Sequence, residues 1–300
     1  MLLGTSFTVV WLAVTVLLAG CSHVLQIAHR YPEADMLVRE QLVIYADFTL
    51  PRHHRLISEL VALRHDIRTR LLLPASDEPI QVYLFRDADR FREFMSRRFP
   101  HVPERRAFFV ETDTRLAVFA HWGDRIGEDL RHEVAHGYLH SVVSNIPLWL
   151  DEGLAEYFEV PRGHRGVHQS HLGLLWQRHT RFFWKPSLQR LERITDAERM
   201  GPLDYAEAWL VVHWLLETTP QRRQLLQNYL ARLRLAGSSP PLRDYLESLD
   251  PDYESQLLAH LATLRQKYHD PSHPDTDSGS SDGSSENELP KQESEQPRAA

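Results

Sequence analysis

"HEVAHGYLHSVVSNIPLWLDEGLAEYFE" spans residues 132–159 and carries the pattern that decides how the chain is read. His132 and His136 stand four apart, one turn up the same face of a helix. Their imidazoles can therefore converge on one ion while Glu133 projects beside them. Leu130, Val134, Tyr138 and Val142 recur at four-residue steps, so residues 127–143 are expected to be helical. Residues 144–146 break that helix, and Pro147 suits the first turn of a second one, 147–160, which ends before Pro161. Two imidazoles alone do not make a catalytic metal site, which takes three protein ligands and an open position. His140 lies about 12 Å along the axis from His132, too far to share an ion whose bonds are about 2 Å. Glu152 leaves room for the first helix to finish, turn and bring the second back alongside. On this reading Asp151 points away, and Glu156, one turn on from Glu152, accepts a hydrogen bond from a ligand imidazole.

Working outward, the upstream half alternates strands and helices. "QLVIYADF" (41–48) and "IQVYLFRD" (80–87) have the β-branched and aromatic content of strands. Between them Leu56, Leu60, Leu63, Ile67 and Leu71 keep helical spacing, and Pro74 follows. "ADRFREFMSRRF" reads as a short amphipathic helix, followed by strands at "RAFFVET" and "RLAVFAHW". The latter (115–120) is expected to be a sheet edge able to pair with an extended peptide. Downstream of the quoted stretch, a polar His-rich loop (162–171) containing His164, His168 and His171 is expected to be solvated. Three helices follow, at 203–217, 221–235 and 253–266, with Trp149, Trp209 and Trp214 read as core. The expected class is α+β: a small N-terminal sheet layer packed on a mainly helical C-terminal half, the quoted helix at the junction.

"HEVAH…WLDEGLAEYFE" resembles the gluzincin metallopeptidases, in which HExxH is followed by a Glu on the next helix. "WLDEGLAEY" is similar to the corresponding stretch of zinc aminopeptidases and, more closely, of peptidase-MA-like domains in bacterial envelope proteins. The resemblance implies a zincin-like domain over residues 41–268 that binds one Zn2+ and cleaves peptide or protein substrates. It implies zinc ligation by His132, His136 and Glu152, with Glu133 as general base. It also implies that Tyr205, in "PLDYAEAWLVV", stabilises an oxyanion, although Ala206 to Ala208 stand where the families carry a Lys-Gly portion. The interval between His136 and Glu152 is shorter than in the best-known members. The contrasting expectation is a non-catalytic envelope module that keeps the fold as a scaffold, for which the general base Glu133 would have no use.

The chain ends differ from this body. Residues 1–20 are almost wholly apolar and end at small residues, as in a secretory segment, but lack its usual basic n-region and could also span a bilayer as an uncleaved anchor. Leu18-Ala19-Gly20-Cys21 resembles a bacterial lipobox. The resemblance implies lipidation of Cys21 and a membrane-anchored protein on the outward side of a bacterial cell envelope, with residues 21–40 as anchor and linker. Cys21 is the only cysteine, so no intrachain disulfide can form. Residues 269–300 are Ser-rich and acidic, without an aromatic or β-branched aliphatic residue after Tyr268 and His269, and are expected to be disordered. From Asp270 that tail holds eight acidic and two basic residues, against a whole-chain charge of −7, so the body is close to neutral. No basic stripe points to nucleic acid. The oligomeric state has no signature in the sequence.

Overall fold

A computed structural model describes residues 31–102 and 104–268. The expected secretory segment, the lipidation site Cys21 and the acidic tail lie outside the described residues. Five strands form one mixed sheet: β1 (Asp35–Arg39), β2 (Leu42–Ala46), β3 (Ile80–Phe85), β4 (Ala107–Thr112) and β5 (Arg115–His121). Their order across the sheet is β1-β2-β3-β5-β4. The pairs β2–β3 and β3–β5 are parallel, while β1–β2 and β4–β5 are antiparallel.

Two findings correct the expectations at the edges. The strand at 115–120 is interior, because β5 inserts between β3 and β4, and the edge is β4. The expected linker contains β1, whose "DMLVR" buries only Leu37 and so shows a weak alternation.

The central strands are covered on both faces, and period-2 alternation sorts their side chains. Ile80, Val82 and Leu84 of β3, with Leu116, Val118 and Ala120 of β5, enter the main core. That core also takes the apolar stripe Leu56, Leu60, Leu63, Ile67 and Leu71 of α1 (Arg55–Leu71). Tyr83, Phe85 and Phe119 point the other way, onto Phe91, Phe94 and Met95 of α2 (Ala88–Arg98). Asp87 caps α2 by accepting from the Arg90 backbone N–H at 2.9 Å.

The helical half begins with α3 (Ile126–His140) and α4 (Leu148–Glu159). It continues with α5 (Gln169–Phe182), a short α6 (Leu188–Leu191), α7 (Pro202–Glu217), α8 (Pro220–Ala236), α9 (Leu242–Leu249) and α10 (Tyr253–Tyr268). α7 is the centre of this half: residues 206–216 are all buried, as in a helix surrounded by others. Trp149, Trp209 and Trp214 are among the largest fully buried side chains, as expected. α5 and α9 were not anticipated from the sequence. Of the fourteen residues of α5 only Leu172 and Leu175 are buried, which leaves a thin periodic signal. The architecture is α+β.

Two glycines set the position of the central helices. A Cβ on Gly137 of α3 would lie 2.9 Å from Ile80 Cγ2, so the helix backbone rests directly on β3. A Cβ on Gly153 of α4 would lie 2.7 Å from the Ala208 carbonyl oxygen, so α4 and α7 touch backbone to backbone.

Candidate metal centre

α3 and α4 bring His132, His136 and Glu152 together. His132 Nε2 lies 3.2 Å from His136 Nε2, and Glu152 Oε2 lies 3.4 Å and 3.7 Å from those two nitrogens. Ligands about 2.0–2.1 Å from a tetrahedral Zn2+ stand about 3.3 Å apart. The three atoms therefore have the spacing of three vertices around one ion.

Hydrogen bonding gives the same answer independently. His132 Nδ1 lies 2.8 Å from Glu159 Oε2, and His136 Nδ1 faces Asp151 Oδ2 at 3.0 Å. Were both imidazoles neutral with the proton on Nδ1, as metal ligation requires, both Nε2 atoms would present lone pairs beside Glu152 Oε2. Glu152 Oε2 is buried with no hydrogen-bond partner. Three such atoms facing one another in a buried site could hold a cation between them.

The surrounding charge agrees. Burial works against a charged His136, but Asp151 and Glu152 outweigh it and push its pKa up to about 10. His132 is likewise raised well above the ordinary value, burial being overcome by Glu152 and Glu159. Burial works against ionised Glu152, yet the two imidazoles hold it down at about 2. Asp151 and Glu159 are also depressed: burial opposes their ionisation, and His136 with His140, and His132 with His168, overcome it. The site is thus rich in carboxylates that remain ionised, balanced by imidazoles whose charge a divalent ion could replace.

Glu133 is buried, and burial raises its pKa, a tendency that His132 and His136 oppose. Tyr205 is half-buried at the start of α7. Burial raises its phenol, Glu152 adds to the rise, and Arg105 and His132 oppose it. Arg105 also acts on Glu133. It was missed by the sequence reading, since a lone exposed arginine in a turn carries no motif.

Two sequence expectations about the surroundings fail. Asp151 does not point away: its Oδ2 lies between His136 Nδ1, at 3.0 Å, and His140 Nε2, at 2.9 Å. Glu156 does not back a ligand imidazole. That position belongs to Glu159, whose other oxygen is 2.7 Å from His168 Nε2, while Glu156 is 2.7 Å from His171 Nε2. Nor do His168 and His171 lie in a solvated loop. They form the N-terminal turn of α5, with rings stacked at 3.8 Å, and His168 Nδ1 accepts from the His171 backbone N–H. Glu156, His168 and His171 form another group within reach of one ion. The Glu156–His171 contact at 2.7 Å is a hydrogen bond, however, too short for neighbouring ligands on a metal, and His168 Nε2 is turned to Glu159 instead. His140 stays out of the main triad, held by Asp151 and by Glu111 at 2.6 Å.

A family model described as "Protein of unknown function (DUF1570)" matches residues 128–242. The matched segment covers less than half of the chain. It runs from the first turn of α3 to the start of α9 and so includes all three members of the triad. No curated protein matches the chain. The matched family has no function in its description, so the gluzincin resemblance rests on the motif and on the geometry above.

Proposed function

We propose that the chain is a zinc-dependent hydrolase of peptide bonds, held at the outward face of a bacterial cell envelope by lipid at Cys21. The observation that carries the reading is the triangle of His132 Nε2, His136 Nε2 and Glu152 Oε2, with sides of 3.2, 3.4 and 3.7 Å. The donor set of two imidazoles and one carboxylate suits Zn2+ and leaves a fourth position open. Bound there, Zn2+ would acidify a water molecule and polarise a carbonyl. The chain's own residues supply the rest. Glu133, buried and with a raised pKa, takes the proton of the attacking water and passes it to the leaving amine. Tyr205 supplies a phenolic donor for the developing oxyanion, and Arg105 adds positive charge on the same side.

The outer edge of β4 is the substrate platform. β5 occupies one side of β4, and no strand pairs with the other among the described residues. Phe109 of β4 stacks on His136 with ring centroids 5.8 Å apart, which brings this edge to the triad. An extended peptide added along it would present its backbone to Glu133.

The test has two parts. Zinc per chain should be near one and should fall towards zero in His136→Ala. Glu133→Gln should keep the zinc and lose cleavage of a peptide library by at least about a hundredfold, the typical range for a positioned general base. Retained cleavage in Glu133→Gln would refute the hydrolase. Retained zinc in His136→Ala would refute the metal centre.

A further inference from the structure

The segment from Val160 to Leu191 contains no Asp or Glu, in a chain with 41 of them, and carries six basic residues. Three of the six are neutralised: Arg162 by Asp66, Arg165 by Glu217, and Arg190 by Asp204 and Glu207. The other three, Arg178, Arg181 and Lys185, are exposed and make no ion pair among the described residues. All three lie at one corner, where α5 ends.

The same corner carries an exposed aromatic pair. Phe182 is 63% exposed and Phe183 85%, the most exposed large apolar side chain among the described residues. This is not a frayed end. The backbone N–H groups of Phe183 and Trp184 both donate to the Arg178 carbonyl, and His179 Nδ1 donates to the Trp184 carbonyl at 2.9 Å. Phe183 adopts the left-handed region at φ 54°, where a bulky side chain is strained. The chain is therefore held in a disfavoured conformation that turns an apolar ring out into solvent. The Arg178 guanidinium lies over the Phe182 ring, 5.3 Å from its centroid.

We propose that residues 178–185 form a membrane contact, with Phe182 and Phe183 among the headgroups of an anionic bilayer and Arg178, Arg181 and Lys185 on lipid phosphates. Charge selects the occupant: three cations that make no ion pair among the described residues lie within five residues of the rings in an acid-free stretch of sequence. Basic residues beside exposed aromatics are the side chains that settle at a lipid interface. Shape agrees with charge. A stable protein partner needs about 800 Å² of matched surface on each side, whereas a two-residue tip suits a surface that deforms around it. The proposal does not depend on the hydrolase reading. It would, however, fix the height of the metal centre. His168 at the start of α5 touches Glu159, and fifteen helical steps of 1.5 Å place Phe183 about 22 Å further along.

The test uses the full-length chain in a Cys21→Ser background with Phe183→Cys, which leaves one thiol for an environment-sensitive fluorophore. Vesicles of phosphatidylcholine alone are compared with vesicles containing about a third phosphatidylglycerol. The proposal expects a blue shift on the anionic vesicles, reversed by high salt. Each basic residue near an anionic surface adds about fivefold to affinity. Changing Arg178, Arg181 and Lys185 together to Gln should therefore raise the lipid concentration needed for half the shift by about a hundredfold. Circular dichroism of that variant should match the parent. No blue shift, or a shift of equal size on neutral vesicles, overturns the proposal and leaves the corner to a protein partner or to passive proximity. A full shift in the Gln variant overturns it as well.

Discussion

Replacing Gly153 with Ala sets two effects of known size against each other. In an exposed helix the change stabilises, because Ala exceeds Gly by about 1 kcal/mol in helix propensity. Here the added Cβ would meet Ala208 O at 2.7 Å, Ala208 C at 2.8 Å and Val212 Cγ2 at 3.0 Å. Two of the three are backbone atoms of α7 and cannot rotate aside. Ordinary contact begins near 3.4 Å, so α4 and α7 must separate by about 0.7 Å at this point. A gap of that size forfeits a quarter to a half of the dispersion energy of each contact along the seam. Overpacking of this kind costs about 1–3 kcal/mol. With propensity subtracted, the expected net loss is about 0–2 kcal/mol, or up to about 8 °C in Tm for a body of this size. Urea unfolding of the zinc-free protein reads the loss directly. Glu152 is the adjacent residue, so zinc affinity measured by chelator competition should fall with it. A variant stabilised by about 1 kcal/mol would show that propensity alone operates at this position and would refute the close approach of the two helices.

Other perturbations have equally definite directions. Burial keeps His213 and His260 neutral, at about 4 and about 3, with His213 Nδ1 and His260 Nε2 3.0 Å apart. Both folded values lie below the unfolded value near 6.5. The unfolded chain therefore binds more protons in the interval, and stability present above pH 6.5 is lost as pH falls towards 4. For His213 alone the loss between pH 7 and pH 5 is about 2 kcal/mol. Urea unfolding of zinc-free protein and of its His213→Phe variant at the two pH values checks it, since the raised metal-site histidines act in the opposite direction in both. An equal pH dependence of the two proteins would contradict it. Glu159→Gln should weaken zinc binding by about 10–100-fold, the usual effect of removing a ligand's hydrogen-bonding partner. His168→Ala, which only frees the other oxygen of Glu159, should weaken it by less. A larger loss in His168→Ala than in Glu159→Gln would reverse that order and place His168 on the metal itself.

Helical period made the imidazole pair readable from the sequence. His132 and His136 are one turn apart on any regular helix, and Glu152 on the next helix has the charge and the chain length to reach them. The partners of those imidazoles were less accessible. Glu152, Glu156 and Glu159 fall on one side of α4, and Asp151 borders it, so the sequence identifies the face but not which carboxylate meets which nitrogen. The packing of α4 against α3 decides that, and it is a tertiary arrangement rather than a local pattern. The sheet edge escaped for a related reason. β4 and β5 form a hairpin with similar apolar content, and which of them joins β3 is a choice of topology rather than of local pattern. β1 and α5 bury too few side chains to reveal their periods, Leu37 in one and Leu172 and Leu175 in the other.

Gly137 follows His136 directly and rests its Cα on Ile80 of β3. The imidazoles are thereby referenced to the floor of the sheet rather than to the rim of the cleft. Turns around the opening, including the one that carries Arg105, could lengthen, shorten or change charge without altering the dimensions of the ligand triangle. On the proposed reading, such a scaffold would allow preference for one peptide over another to drift while the ligand geometry stays constant.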